Sequence, residues 1–422
     1  MKFVELTKTE FDQYAKAYEN AHFWQSIDMG ELREWNGWKV VYVGLKQDDT
    51  VHAAAMLSYR NLFLGTTQAQ IMRGMLIDYH NRDLLEQFQK GLLTYLKTIR
   101  CMYLKVDPYV WYQQRDINGD AVPGGIHNQD VVDSFLAMGY QHTGFIRGYD
   151  DTSEPRWMFA LNLKGETPET LLKKFDQRAR RNINKTKKFN LRIREMTLAD
   201  LPQFKRMTEH TCERRGFSDH TMHYYEGMMT IFKKYDHIKA LCAELDVSAY
   251  QKTLMEEAEK LKQELAKAEE KWNSQPENKK LPKRIEELKT AQGVNCKKQE
   301  EAAELAKEGD VLFLAAAYFI TYGKEVMYLF SAAYDHYMKF NAPYALQWTM
   351  MQYGMEHGFD QYNFYGISGI FNESAEDWGI YEFKRGFSGY VIELIGDFQY
   401  ICKPGIYRLY QALRKIKHVI RK

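Results

Sequence analysis

No stretch of this chain is apolar for long enough to cross a bilayer as a helix; the longest run, residues 311–320, is about half the ~20 residues required. Cysteine is scarce and unpaired. Cys101, Cys212, Cys242, Cys296 and Cys402 are scattered and form no CxxC pair, which argues against a zinc ribbon or a disulfide scaffold and for a reducing compartment. The opening stretch, MKFVELTKTEFDQYAKAYEN, carries acids early and lacks the apolar segment of a signal peptide, so a cytoplasmic protein is expected. GxSxG, P-loop, HExxH and GxGxxG patterns are all missing, which removes the common hydrolase, nucleotidase, metalloprotease and dinucleotide readings. The 12 histidines show no metal-ligand spacing; His220 and His223 stand three apart without further ligands, and no metal site is expected. A large charge of one sign is also missing. With a net charge of +2, any contact with nucleic acid must come from local patches.

What is present is ample core material: 45% hydrophobic and 14% aromatic residues over 422 positions, too many for one ordinary core. Residues 1–6 read as a strand and 7–20 as a helix capped by Thr7 or Thr9. VVYVGL and VHAAAMLSYR form a hairpin around the turn at 47–50. A strand at 71–77, an amphipathic helix at 82–100, and a strand at 101–106 ending in Asp107-Pro108-Tyr109 follow, then a helix at 131–138. This alternation makes residues 1–155 one α/β unit. From residue 157 the rhythm repeats: a basic helix at 170–190, helices at 198–215 and 224–234, strands at 238–244, 311–320 and 325–330, and a helix at 342–357.

Residues 246–307 interrupt this second unit. Leu254, Ala258, Leu261, Leu265, Ala268 and Trp272 step in fours and threes, a heptad seam, and Pro276 and Pro282 mark its end. A second helix with a more polar seam through Gln292, Asn295 and Ala302 completes an antiparallel hairpin projecting roughly 40 Å. It reads either as a solvated structural arm or as an arm that touches RNA. The tail, GIYRLYQALRKIKHVIRK, has no acid, and Ile406, Leu409, Leu413, Ile416 and Ile420 share one helical face. This basic amphipathic helix at 401–422 suits an anionic membrane surface or RNA, or packing on the body.

The segment 361–402 is organised as strand, glycine turn, acidic loop, then an extended run over 380–383, in which Lys384 and Arg385 stand between Phe383 and Gly386-Phe387. A buried lysine needs a partner or a task, because burial of its charge costs several kcal/mol otherwise. NFYGISG followed by FNESAEDWGIYEFKRGF and a closing GDF resembles the C-terminal signature of Fem-type peptidoglycan aminoacyltransferases.

That resemblance implies two GNAT-like domains, the second at 156–245 and 308–400 and interrupted by the coiled-coil arm. It also implies transfer of glycine, alanine or serine from aminoacyl-tRNA to the stem-peptide amine of lipid II or UDP-MurNAc-pentapeptide, with no cofactor beyond the tRNA co-substrate. The CoA-binding loop of ordinary GNAT enzymes, Q/R-x-x-G-x-G/A, is absent, in keeping with another donor. By the same resemblance, Lys384 stabilises charge in the reaction, Phe383 shapes its pocket, and Asp107 matches an acid considered as general base, although an aspartate before proline is also an ordinary turn residue. Lys39 matches a lysine near the substrate phosphates, and Arg180 and Arg181 of RRNINK lie in a segment near which phosphates bind. Their charge alone also fits a solvated face. Tyr225, with Tyr224 as its neighbour, matches a tyrosine facing the precursor, and Tyr328 keeps one hydroxyl of a Y-x-Y strand. Peripheral contact with the inner membrane face and oligomers with paralogues are further implications. The rival readings are a non-catalytic RNA- or membrane-binding adaptor and a GNAT-like N-acyltransferase with another donor.

Overall fold

The apolar runs assemble into two mixed sheets in a computed structural model that describes residues 1–150, 152–215 and 219–420, the side chains at 214–215 and 416–420 excepted. The first sheet has seven strands in the order Lys2–Glu5, Lys39–Gln47, Thr50–Asn61, Thr67–Met72, Cys101–Asp107, Phe398–Ile401, Gln141–His142. The second has eight: Trp111–Gln114, Tyr390–Leu394, Trp157–Asn162, Gln361–Ile367, Glu325–Ala333, Val311–Tyr322, Ile238–Asp246, Arg192–Glu195. Each contains an antiparallel meander that ends in a single parallel pair, Thr67–Met72 with Cys101–Asp107 and Glu325–Ala333 with Gln361–Ile367. The fold is α/β in two units, each built on one mixed sheet, as expected.

The units exchange strands. Trp157–Asn162 follows Gln141–His142 of the first sheet in the chain, and it lies between Gln361–Ile367 and Tyr390–Leu394 of the second. Phe398–Ile401 follows Tyr390–Leu394, yet it returns to lie between Cys101–Asp107 and Gln141–His142. Trp111–Gln114 also crosses over and pairs with Tyr390–Leu394. Sequence bounds of 1–155 and up to 400 therefore misassign two strands: Trp111–Gln114 belongs to the second sheet and Phe398–Ile401 to the first. Strand composition reports burial, and it does not report which partner supplies the hydrogen bonds.

Burial explains the individual elements. Val311–Tyr322, VLFLAAAYFITY, is buried along nearly its whole length because both faces of its sheet are covered. The helix Lys8–Ala17 starts at Thr7, whose side chain accepts from Glu10 N while Glu10 reaches back, a capping box. The expected basic helix at 170–190 is two helices, Pro168–Lys174 and Gln177–Lys188. Phe175 breaks it by turning into the core against Trp348 and Phe387, and Asp176 caps the second helix by accepting from Ala179 N at 2.6 Å.

The arm consists of Val247–Ser274 and Lys280–Glu308. Its root is part of the body, since Val247, Tyr250, Leu254, Ala302 and Leu305 join the large core of the second unit. Further out the seam is thinner. Asn295 is buried there and its amide donates to Leu254 O at 3.1 Å. The C-terminal helix, Pro404–Ile420, lies on the first sheet through Tyr407, whose ring meets Tyr103 edge-on at 5.5 Å and whose hydroxyl donates to Gln399. Leu409 and Leu413 on it stay exposed, and the side chains of Ile416 and Ile420 lie outside the described residues.

Candidate active site between the two units

The parallel pair of the second unit is short. Glu325, Val326 and Met327 register with Gln361, Tyr362 and Asn363, and there the strands part. The strand Gln361–Ile367 then shifts register at Asn363–Gly366, with Tyr365 at a φ of +63°, a left-handed conformation that costs a tyrosine energy. Two of its carbonyls are claimed by one lysine: Lys384 Nζ donates to Gly366 O at 2.6 Å and to Tyr365 O at 3.4 Å.

Lys384 is 5% exposed and stands on a helix, Trp378–Arg385, where an extended run was expected at 380–383. The aromatic composition favours a strand, but burial at Tyr381 and Lys384, three apart, follows helical spacing. The Tyr381 hydroxyl anchors the helix by donating to Ile117 O at 2.7 Å. Phe383 packs on Tyr344 and Phe387. Beside Lys384, buried Asp377 accepts from Ser368 N at 2.8 Å and from the Tyr149 hydroxyl at 3.0 Å, and Tyr149 also reaches Gly366 O at 3.4 Å.

Across from this opening the first unit presents cations on an indole. The Arg33 guanidinium lies 3.7 Å and that of Arg60 4.5 Å from the centre of the Trp38 ring. Lys39 points to the other face of the sheet, where its Nζ lies 5.9 Å from the centre of the Tyr59 ring, the residue it pairs with. Arg33 donates only to neutral groups, Ser58 Oγ at 3.0 Å and Gln70 Oε1 at 2.6 Å, and its Nε is buried without a partner. Burial pushes Arg33 down to about 10, because no paired carboxylate offsets the lost water. Next to it, Tyr224 stacks on His220 at 4.4 Å, and Phe330 closes on the same histidine at 4.9 Å.

A buried polar chain joins the units beneath the cleft. Arg73 Nη1 meets Asp107 Oδ1 at 3.1 Å, both sealed from solvent, and Arg73 Nη2 donates to Pro155 O at 2.7 Å. Burial pushes the Asp107 carboxyl up even with Arg73 beside it. From the second unit, Glu325 is half-buried as a residue, but its carboxylate is enclosed. It accepts from the Tyr109 hydroxyl at 2.9 Å, from Asn363 Nδ2 at 3.4 Å and from Gln361. Burial pushes Glu325 up to about 7 against those donors.

The residues singled out in the sequence therefore separate. Lys384 is at the strand opening, whereas Lys39 pairs with Tyr59 on the face of the first sheet opposite to Ser58 and Arg33. Asp107, 1% exposed and occupied by Arg73, closes the parallel pair of the first unit and has no open path to a substrate amine. Tyr225 is turned into the core, its hydroxyl donating to Asp219 at 2.7 Å, and Tyr224 is the member of the pair that faces Arg33 and His220. Tyr328 stacks on Phe319 on the opposite face of its strand from Phe330. Arg180 and Arg181 are exposed on Gln177–Lys188, away from the shelf; that helix touches the Lys384 helix through Arg178, which donates to Glu382 O at 3.0 Å. Sequence reasoning missed Arg33, Tyr365 and Glu325. For Arg33 a signal existed, an arginine beside the Trp35–Trp38 pair on which it could stack.

A model of the FemAB family matches residues 6–415 of the chain. Aminoacyltransferase FemA of Staphylococcus aureus, in strain bovine RF122 / ET3-1 and in strain N315, is 34% identical over 419 residues, 99% of both chains. Among solved structures, the crystal structure of FemX aligns with a TM-score of 0.79 at 24% identity, over 97% of this chain and 99% of that one. The chain belongs to the FemAB family.

Proposed function

We propose that this protein transfers an amino acid, glycine, alanine or serine, from aminoacyl-tRNA to the stem-peptide amine of a peptidoglycan precursor, lipid II or its UDP-linked form. The observation that carries the reading is Lys384: a buried ammonium held on the carbonyls of Tyr365 and Gly366 at the point where the parallel strands part. The aminoacyltransferase name of relatives matched over 99% of both chains supports it.

The chemistry is aminolysis. The amine nitrogen attacks the ester carbonyl, a C–N bond forms, and the C–O bond to the tRNA ribose breaks. The ester is already activated, so positioning and charge stabilisation supply most of the acceleration. In this reading Lys384 exchanges a carbonyl for the oxyanion or the departing ribose oxygen. The donor brings its own activated acyl group, so no cofactor is invoked. The precursor's diphosphate lies on the shelf of Arg33 and Arg60, whose forked guanidinium groups suit phosphate oxygens. Arg180 and Arg181 are left exposed for the phosphates of the tRNA. Leu409 and Leu413, 48% and 42% exposed on the basic C-terminal helix, suit contact with the inner membrane face.

The test is single-turnover transfer from tRNA charged with radiolabelled glycine, alanine or serine to purified lipid II and to the UDP-linked precursor. Label on either acceptor from one charged tRNA is expected. Label on neither, with active tRNA and precursor, rejects the reading.

A further inference from the structure

An acceptor amine reaches neutral water as an ammonium and is no nucleophile until it sheds a proton, and Asp107 is enclosed. We propose that Glu154 holds that ammonium and takes its proton, an inference that rests on the aminoacyl-transfer reading.

Glu154 lies on the segment that joins the two units, and its carboxylate accepts from the Tyr365 hydroxyl. Tyr365 thus has both ends fixed: Lys384 holds its backbone carbonyl and Glu154 its phenol. The second carboxylate oxygen of Glu154 has no partner among the described residues. Glu154 lines an open recess together with Tyr149, the tyrosine that also reaches Gly366 O beside Lys384.

The charged and titratable groups around Glu154 come from every side. Arg33 on Ile27–Trp35, and His220 and Tyr224 at the start of Met222–Lys234, feel its charge from the cleft. Arg73, Asp107 and Tyr365 do so from the strand ends. Asp150, Arg156 and Asp397 line the recess, the last two already engaged by Glu393 and Lys105. A carboxylate with one fixed and one open oxygen is a receptor for an ammonium.

The proton balance is complete. The ammonium gives one proton to Glu154 and attacks the ester carbon. The tetrahedral intermediate carries a second proton on nitrogen, which passes to the departing ribose oxygen as the C–O bond breaks. Glu154 then releases its proton to water, leaving amide, free tRNA and one solvent proton.

The test pairs binding with kinetics. Calorimetry uses the UDP-linked precursor with its stem lysine free or acetylated at the ε-amine. The wild type is expected to bind the free amine about tenfold more tightly, as a charge-assisted hydrogen bond warrants. Glu154→Gln binds both forms alike, and Glu154→Asp restores part of the preference. In single-turnover transfer, Glu154→Gln slows the reaction about 100-fold or more and loses the acid limb of the pH profile, the range for a general base. A wild type that ignores acetylation, or a Glu154→Gln enzyme with wild-type rate and pH profile, overturns the proposal. Preference for the free amine without transfer to any precursor counts against the aminoacyl-transfer reading and leaves Glu154 as the amine receptor.

Discussion

The two units carry the same parallel strand pair and use it in opposite ways. In the first unit, Thr67–Met72 and Cys101–Asp107 shift once at Thr67/Gln68 and then stay in register through Met72 and Asp107, where the Arg73–Asp107 ion pair plugs the gap. In the second, register ends after Met327 and Asn363, and the gap is left to Tyr365, Gly366 and Lys384. The hairpins preceding the pairs differ in the same sense. Lys39–Gln47 and Thr50–Asn61 are joined by a two-residue turn, whereas the arm stands between Ile238–Asp246 and Val311–Tyr322. One copy of the fold is closed into a support that presents cations, and the other is left open at its strand ends and extended outward.

Breaking the closed end has the largest expected effect. Arg73→Met or Asp107→Leu alone leaves a buried charge unpaired and lowers stability by about 3–5 kcal/mol, whereas the double substitution is close to neutral, as read from denaturant midpoints. Equal losses in the double and single variants would mean that the pair is not the plug. At the open end, Lys384→Ala is expected to reduce single-turnover transfer by about 10²–10³-fold, the scale for losing one charge-stabilising donor, with the melting temperature little changed. An unaltered rate would move the reaction away from this opening.

Glu325 sharpens the comparison through pH. Its folded pKa, about 7, lies above the ordinary carboxyl value, so between about pH 4.5 and 7 the folded state keeps a proton that the unfolded chain has lost. Its contribution is full below that window and declines as pH rises through it, by up to roughly 3 kcal/mol. Glu325→Gln should flatten that decline in a pH series of unfolding curves; an unchanged slope would assign it to other groups. The smallest effect is expected from the arm. Replacing residues 256–300 by a short glycine bridge keeps the root and should change body stability by about 1 kcal/mol or less; collapse would show that the outer seam supports the core. Removing all of 247–307 would also take Val247, Tyr250, Leu254, Ala302 and Leu305 out of the core, so that longer deletion is expected to destabilise the second unit.

The α/β alternation, the arm and Lys384 were legible because each is written locally, in period, in composition and in a cation placed among aromatics. The strand exchange was not, because Phe398–Ile401 and Trp111–Gln114 look like any strand of their own stretch, and only pairing tells which sheet takes them. The Trp378–Arg385 helix was read as extended because aromatic side chains favour strands, while tertiary packing of Tyr381 decided the matter. Tyr225 and Tyr224 are adjacent, and a helix turns neighbours about 100° apart, so a one-residue ambiguity separates core from cleft. Glu154 sits in a polar connection without periodicity, where composition is silent.

The strand exchange also sets a schedule. During synthesis, the first sheet lacks the strand next to Cys101–Asp107 until Phe398–Ile401 has emerged, roughly 15–60 s later at ribosomal rates of about 5–20 residues per second. The amino-terminal half therefore leaves the ribosome with an open edge, a surface that invites pairing with other nascent chains or shelter by a chaperone. A premature stop near residue 395 would leave the second sheet paired in full and cripple the first at Cys101–Asp107, about 290 residues upstream of the lesion.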